Sequence, residues 1–198
     1  MNRSSTDPPV IRPAVRQRSV GAAFWGMTRR VTVMAAYVDV LLLVLFLAFD
    51  QPLLGWLNLV SITMYMLAYL ALKRRRNALA LALIWAEVVA HVALGTLMVG
   101  WESGFHYYLL MFIPAVAVGA RGWMLAAELG ALMGVYLGLH HWVVGHGALN
   151  PMQPLGLELV HAVNVMVVFA FAAYTTRYYY GLVSRSEERL RHQAATDP

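Results

Sequence analysis

The stretch VTVMAAYVDVLLLVLFLAF at residues 31–49 contains a single charged residue, Asp39. A helix needs about 20 predominantly apolar residues to cross ~30 Å of hydrocarbon, so this stretch has the length and composition of a transmembrane helix. Five further stretches share that pattern, and the fourth of the six is short and contains Pro114. The other five are residues 53–72, 78–99, 106–120, 123–143 and 155–176.

The composition of the whole chain supports the same interpretation. Of its 198 residues, 60% are hydrophobic and only 13% are charged, which leaves too little polar surface for a soluble domain of this size. We therefore predict an all-α polytopic membrane protein with six transmembrane helices. The chain contains no cysteine, which excludes disulfides, thiolate metal sites, c-type haem attachment and a cysteine nucleophile.

The basic residues predict the orientation, because cytoplasmic connections retain Lys and Arg. All 15 lie before the first span, in the second and fourth connections, or after the last span. We expect both termini to be cytoplasmic, the bilayer to be the partner of the basic N-terminal arm, and no nucleic acid to bind. The predicted domains are a disordered arm at 1–20, a six-helix domain at 21–176, and a cytoplasmic signalling helix and linker at 177–198.

The outward connections, at about 50–52, 100–105 and 144–154, are too short to hold a separate binding domain. A binding site is therefore expected among polar residues within the spans, which usually face the bundle interior. Glu87 and His91 lie one helical turn apart, and Glu158 and His161 share one face of the last span. Because the spans alternate in direction, we place these residues in one layer of the outer half together with His106, His140, His141 and Glu102.

Several ligands suit that layer. Imidazole and carboxylate groups bind zinc, copper or iron, and two facing histidines can ligate a b-type haem. A small organic ligand, or histidines that only tie helices together by hydrogen bonds, are the other interpretations. Asp39 and Glu128 are expected in the inner halves of their spans, away from the layer.

Two further patterns concern packing. Gly130, Gly134 and Gly138 form a small-xxx-small repeat that allows close approach of another backbone, and His141 is expected near that face, inside the bundle. After the last span, a thin apolar seam predicts a weak coiled coil and hence a parallel homodimer. That seam includes Val183, Leu190 and Ala194.

Two short segments carry a resemblance to a known family. Residues 101–110, WESGFHYYLL, followed by Pro114, resemble the outer-loop signature of six-helix membrane-associated sensor (MASE-type) domains that precede GGDEF domains and some class III nucleotide cyclases. Residues 194–198, AATDP, follow the charged segment RSEERLR at 185–191 and look like the lead-in to a GGDEF domain.

This resemblance implies the sensor half of a diguanylate cyclase, which converts GTP to cyclic di-GMP, in a bacterial inner membrane. On that interpretation the chain is truncated where the GGDEF domain begins and is not itself catalytic. The alternatives are the sensor domain of a class III nucleotide cyclase and a haem-binding membrane electron carrier. A transporter is less favoured, because no internal repeat is found.

Overall fold

The computed structural model describes residues 13–119 and 122–196, which form six α-helices and one short 3₁₀ helix, without any strand in those ranges. The all-helical fold class is thus confirmed. The helices are α1 Pro13–Ala48, α2 Pro52–Lys73, α3 Asn77–Val99, α4 Tyr107–Gly119, α5 Trp123–His146 and α6 Pro154–Thr196, with the 3₁₀ helix at Trp101–Ser103 between α3 and α4.

The first three helices form consecutive hairpins because their connections are very short. Asp50 adopts a left-handed conformation (φ 55°), and Pro52 then opens α2, a position where proline's fixed φ favours helix initiation. Arg75 also has a positive φ (57°), and the Arg76 N–H donates to the Ala71 carbonyl over 2.8 Å, which closes the end of α2. As a result, α1 packs mainly on α2, and α2 packs on α3.

Five of the described helices are long and apolar enough to cross a membrane. These are Phe24–Ala48, Pro52–Lys73, Asn77–Val99, Trp123–His146 and Pro154–Gly181. The predicted fourth span corresponds to α4, whose 13 residues cover only about 20 Å at 1.5 Å per residue. The structure therefore supports a multi-pass membrane protein, whereas the sidedness derived from the basic residues stays a prediction.

The start of α1 differs from the sequence-based expectation. The helix begins at Pro13, within the arm for which we predicted disorder up to residue 20, and residues 1–12 lie outside the described part of the chain. Proline is well tolerated in the first helical turn, where its missing N–H has no helical acceptor, so Pro13 can open the helix.

The core lies where the connection from α3 to α4 turns into the bundle. Phe105 is fully buried, stacks on Phe46 of α1 at a ring distance of 6.2 Å, and packs with Val92 and Val160. Gly100 (φ 108°) and Gly104 (φ 80°) allow the turns that direct Phe105 inward. Within this connection the Ser103 Oγ donates to the Gly100 carbonyl over 2.6 Å.

Substitution of Gly95 tests this packing. A Cβ atom on Gly95 would lie 2.6 Å from the Phe105 ring, whereas one on Gly134 would meet no heavy atom within 4 Å. We expect Gly95→Ala to lower the free energy of unfolding by about 1–3 kcal/mol, the usual cost of overpacking. The matched variant Gly134→Ala is expected to unfold at or above the wild-type temperature, and thermal unfolding in mild detergent measures both. Equal stability of the two variants would contradict the close contact at Gly95.

Candidate functional site

Three ionisable side chains meet in the middle of the bundle. Asp39 comes from α1, and Glu87 and His91 lie one turn apart on α3. The His91 Nδ1 atom lies 3.4 Å from a Glu87 carboxylate oxygen and 3.9 Å from an Asp39 carboxylate oxygen. The side chains of Asp39 and Glu87 are only 6% and 2% exposed. We call these three residues the acid–histidine cluster.

Helix α2 adds hydroxyl groups to the acid–histidine cluster. The Ser61 Oγ atom lies 3.4 Å from His91 Nδ1, and the Tyr65 hydroxyl lies beside the Glu87 carboxylate. Even so, one oxygen of Asp39 and both oxygens of Glu87 lack a hydrogen-bond partner of good geometry among the described residues. Buried carboxylate oxygens without donors are costly, so this site favours an additional donor or a cation.

The acid–histidine cluster has a donor set that can hold a metal ion. One ligand atom from each residue lies within 4.8 Å of the other two. Zinc binds imidazole nitrogen and carboxylate oxygen at ~2.0–2.2 Å in a tetrahedron, which places its ligand atoms roughly 3.3–3.6 Å apart, so an inward shift of about 1 Å is required. Three protein ligands would leave a further coordination position open.

A large cavity lies against the cluster. Its volume is about 580 Å³, and Asp39, Glu87 and His91 all line it together with Tyr65 and Tyr108. From the cluster it extends along α1 to Phe24 and along the middle of α6 to Thr175, between apolar side chains of α1, α3, α4 and α6. Protein pockets of about 300–1,000 Å³ accommodate small organic molecules, so this cavity exceeds the needs of a single ion.

A ring contact and a hydrogen bond join the cluster to α6 through Tyr108. The Tyr108 ring contacts the His91 ring at a centroid distance of 6.1 Å, and its hydroxyl donates to the Asn164 side-chain oxygen over 2.7 Å. The Asn164 amide in turn donates to the Ser103 carbonyl over 2.9 Å. Tyr108 and Asn164 are both buried, so their hydrogen bond is shielded from water.

A second group of rings forms around Trp101. His106 stacks on Trp101 at 3.7 Å with nearly parallel planes, and His140 and Tyr136 of α5 approach the same indole edge-on. The His106 Nδ1 atom is buried without a hydrogen-bond partner of good geometry. We call these four residues the aromatic cap. It holds the 3₁₀ helix against α5 and does not contribute ligands to the acid–histidine cluster.

The remaining predicted residues do not join a single layer. His161 donates from Nδ1 to the backbone carbonyl of Glu102 over 2.7 Å, while the side chains of Glu102 and Glu158 are exposed. His141 is also exposed, contrary to our expectation, because the glycine face beside it points away from the described bundle. Added Cβ atoms on Gly130, Gly134 and Gly138 would meet nothing within 4 Å.

Sequence reasoning missed the participation of Asp39. We expected it in the inner half of its span, away from the layer, yet it lies beside His91. The signal was available from the helix ends: Asp39 lies nine residues before Ala48, where α1 ends, and His91 lies eight residues before Val99, where α3 ends. Helices α1 and α3 run in the same direction, so residues at similar distances from their C-terminal ends lie at similar depth.

The signalling helix is only partly described. Helix α6 continues to Thr196, and the side chain of Val183 is exposed, as expected of an unpaired stalk. The side chains of Leu190 and Ala194 lie outside the described set. The proposed apolar seam therefore stays a prediction.

Comparisons with protein-family models, curated proteins and solved structures yield no match for this chain.

The path from Tyr108 to Asn164 predicts a measurable coupling. We expect Tyr108→Phe and Asn164→Ala to lower the free energy of unfolding less than additively, with an interaction energy of about 0.6–1.7 kcal/mol, typical of hydrogen bonds within membranes. A double-mutant cycle on the purified protein measures this energy. Tyr107→Phe, on the neighbouring half-buried position, serves as the control and should show no coupling to Asn164→Ala. Additive effects in the Tyr108 cycle would contradict the hydrogen bond.

Proposed function

We propose that this chain is the membrane-embedded sensory input domain of a signalling protein, with the acid–histidine cluster as its ligand site and α6 as its output. The observation that carries the proposal is the buried site itself: two carboxylates with unpartnered oxygens line a large cavity and are linked through Tyr108 to Asn164. Ionisable groups within membrane spans are rare because they are costly to bury, and they commonly mark ligand, ion or proton sites.

The output half of this proposal depends on the length of α6. The helix has 43 residues, and the apolar candidate span within it ends at Gly181, so its last part is long enough to leave the bilayer. Helix α6 binds the α3–α4 connection through His161 and Asn164 and meets the cluster through Tyr108. Because it also continues beyond the span, it can carry a ligand-dependent shift out of the membrane. In a parallel homodimer, two such helices would change their spacing or rotation.

The resemblance of residues 101–110 and 194–198 suggests the downstream partner. On that basis we propose a GGDEF domain that forms cyclic di-GMP from GTP, in a bacterial inner membrane with both termini cytoplasmic. GGDEF domains act in pairs, so a stalk that governs how two copies meet would govern their output. A class III nucleotide cyclase would use the same input and stalk, and is the second output that the resemblance allows.

The ligand is a metal ion, such as zinc, copper or iron, or an organic molecule that supplies hydrogen-bond donors. Both would satisfy the carboxylates of the acid–histidine cluster. The rival electron carrier with a haem between two histidines has less support, since His91 is the one described histidine that lines the large cavity. The described histidines His106 and His161 are engaged with Trp101 and with a backbone carbonyl instead.

Cysteine crosslinking in native membranes tests the proposed function, because the chain has no cysteine of its own. We expect cysteines placed in turn at positions 178–192, including Val183→Cys, to form crosslinks with helical periodicity in a parallel dimer. Glu87→Gln and His91→Ala should then change the crosslinking rate about fivefold or more, the lower range of allosteric coupling. Glu158→Gln, which removes an exposed carboxylate on α6, is the control and should leave the rate unchanged.

Two results would contradict the proposed function. If no position from 178 to 192 crosslinks, the stalks do not form a parallel dimer. If crosslinks form but respond equally to Glu87→Gln and Glu158→Gln, the acid–histidine cluster is not the input site.

A further inference from the structure

The large cavity offers more space, and a more varied lining, than an ion site requires. The side chains of Asp39 and Glu87 are more than nine-tenths buried, line the cavity, and have oxygens without a hydrogen-bond donor of good geometry. A volume of about 580 Å³ is roughly twenty times the ~30 Å³ that one water occupies in the liquid. A ligand that donates hydrogen bonds to these oxygens can therefore also occupy the apolar part of the cavity.

The shape of the cavity favours an elongated molecule. On α1 its lining runs from Phe24 to Asp39, fifteen residues that correspond to about 22 Å along the helix axis at 1.5 Å per residue. The two buried carboxylates lie at the Asp39 end, whereas the rest of the length is lined mainly by apolar side chains such as Val31 and Val168. The polar groups in that part are Glu128, near the start of α5, and threonines whose hydroxyls donate to carbonyls of their own helices. Such a site suits a molecule with one polar end and an apolar body.

The charges that line the cavity indicate which polar group the ligand carries. Three carboxylates line the cavity, those of Asp39, Glu87 and Glu128, and no Lys or Arg does so among the described residues. Aromatic rings also line the cavity: Tyr108 contacts the His91 ring at 6.1 Å, and Trp85 packs on Phe112 at 4.6 Å. Carboxylates together with aromatic faces attract a cation, and do so most strongly where water is excluded.

We propose that the cavity binds an amphipathic organic cation, with a protonated amine at the acid–histidine cluster and an apolar body directed toward Thr28 and Thr175. The ammonium group donates hydrogen bonds to the free oxygens of Asp39 and Glu87, and the body replaces lipid or water among the apolar side chains. This inference rests on the proposed function, since it assigns a ligand class to the same input site. A metal ion at the cluster is the competing occupant.

Photolabelling tests the inference on the full chain in native membranes. The probe is dodecylamine with a diazirine at mid-chain, and dodecanol with the same diazirine is its neutral counterpart. We expect labelling by the amine on cavity-lining parts of α1, α4 and α6, saturable by unlabelled dodecylamine, and only non-saturable labelling by the alcohol. Mass spectrometry of the peptides locates the labels.

Variants at both ends of the cavity refine the test. Glu87→Gln removes a carboxylate at the polar end, and Ala172→Phe fills space at the apolar end, where Ala172 lines the cavity. Each should lower saturable labelling at least about tenfold, equivalent to ~1.4 kcal/mol of binding free energy. Ala170→Phe, two residues away on an exposed position outside the lining, should label like the wild type and shows that an added ring is tolerated.

Three results would overturn the inference: equal saturable labelling by the alcohol, labelling that Ala172→Phe leaves intact, or stoichiometric metal at the cluster that blocks the amine until a chelator removes it. If stalk crosslinking responds to Glu87→Gln but the amine gives no saturable labelling, the proposed function is retained and the amine is rejected as its ligand. If the amine labels the cavity but stalk crosslinking does not respond to Glu87→Gln, the amine site is retained and the proposed sensory function is rejected.

Discussion

The rest of the site depends on the cost of keeping two carboxylates in an apolar medium. An aspartate at the centre of a membrane helix is unfavourable by about 2.5–3.5 kcal/mol on insertion scales, and Asp39 and Glu87 share one small volume. The imidazole of His91 and the hydroxyls of Ser61 and Tyr65 surround them, which explains why α1, α2 and α3 converge there. These groups leave three oxygens without a hydrogen-bond partner of good geometry among the described residues.

The connection between α3 and α4 obeys the same requirement. Non-helical backbone within a membrane protein is tolerated only where the protein itself satisfies its polar groups. Here the Ser103 carbonyl accepts from Asn164, the Glu102 carbonyl accepts from His161, and the Gly100 carbonyl accepts from Ser103. Most of the segment WESGFHYY is thus buried, with the Glu102 side chain exposed, and its two polar α6 partners, His161 and Asn164, hold it against that helix.

The sequence was sufficient to predict the features that follow from helical periodicity and from the length of the apolar stretches. The apolar stretches predicted long helices, and the spacing of Glu87 and His91 placed both on one face of α3. Depth counted from the helix ends would have added Asp39 as well. The pairing of Tyr108 with Asn164 could not be found in this way, because the two are 56 residues apart and meet only after the turns at Gly100 and Gly104. The exposure of His141 was missed because periodicity does not determine how a helix is rotated in its bundle.

Helix α6 has no break between Pro154 and Thr196. From Asn164, which accepts the hydrogen bond of Tyr108, to Thr196 there are thirty-two residues, or about 48 Å of helical rod at 1.5 Å per residue. Such a rod acts as a lever: a tilt of about 3° at Asn164, too small to disturb the packing around it, displaces the far end by roughly 2.5 Å. The amplification comes from length alone, so a small change of angle at Asn164 produces a displacement of a few ångströms at Thr196.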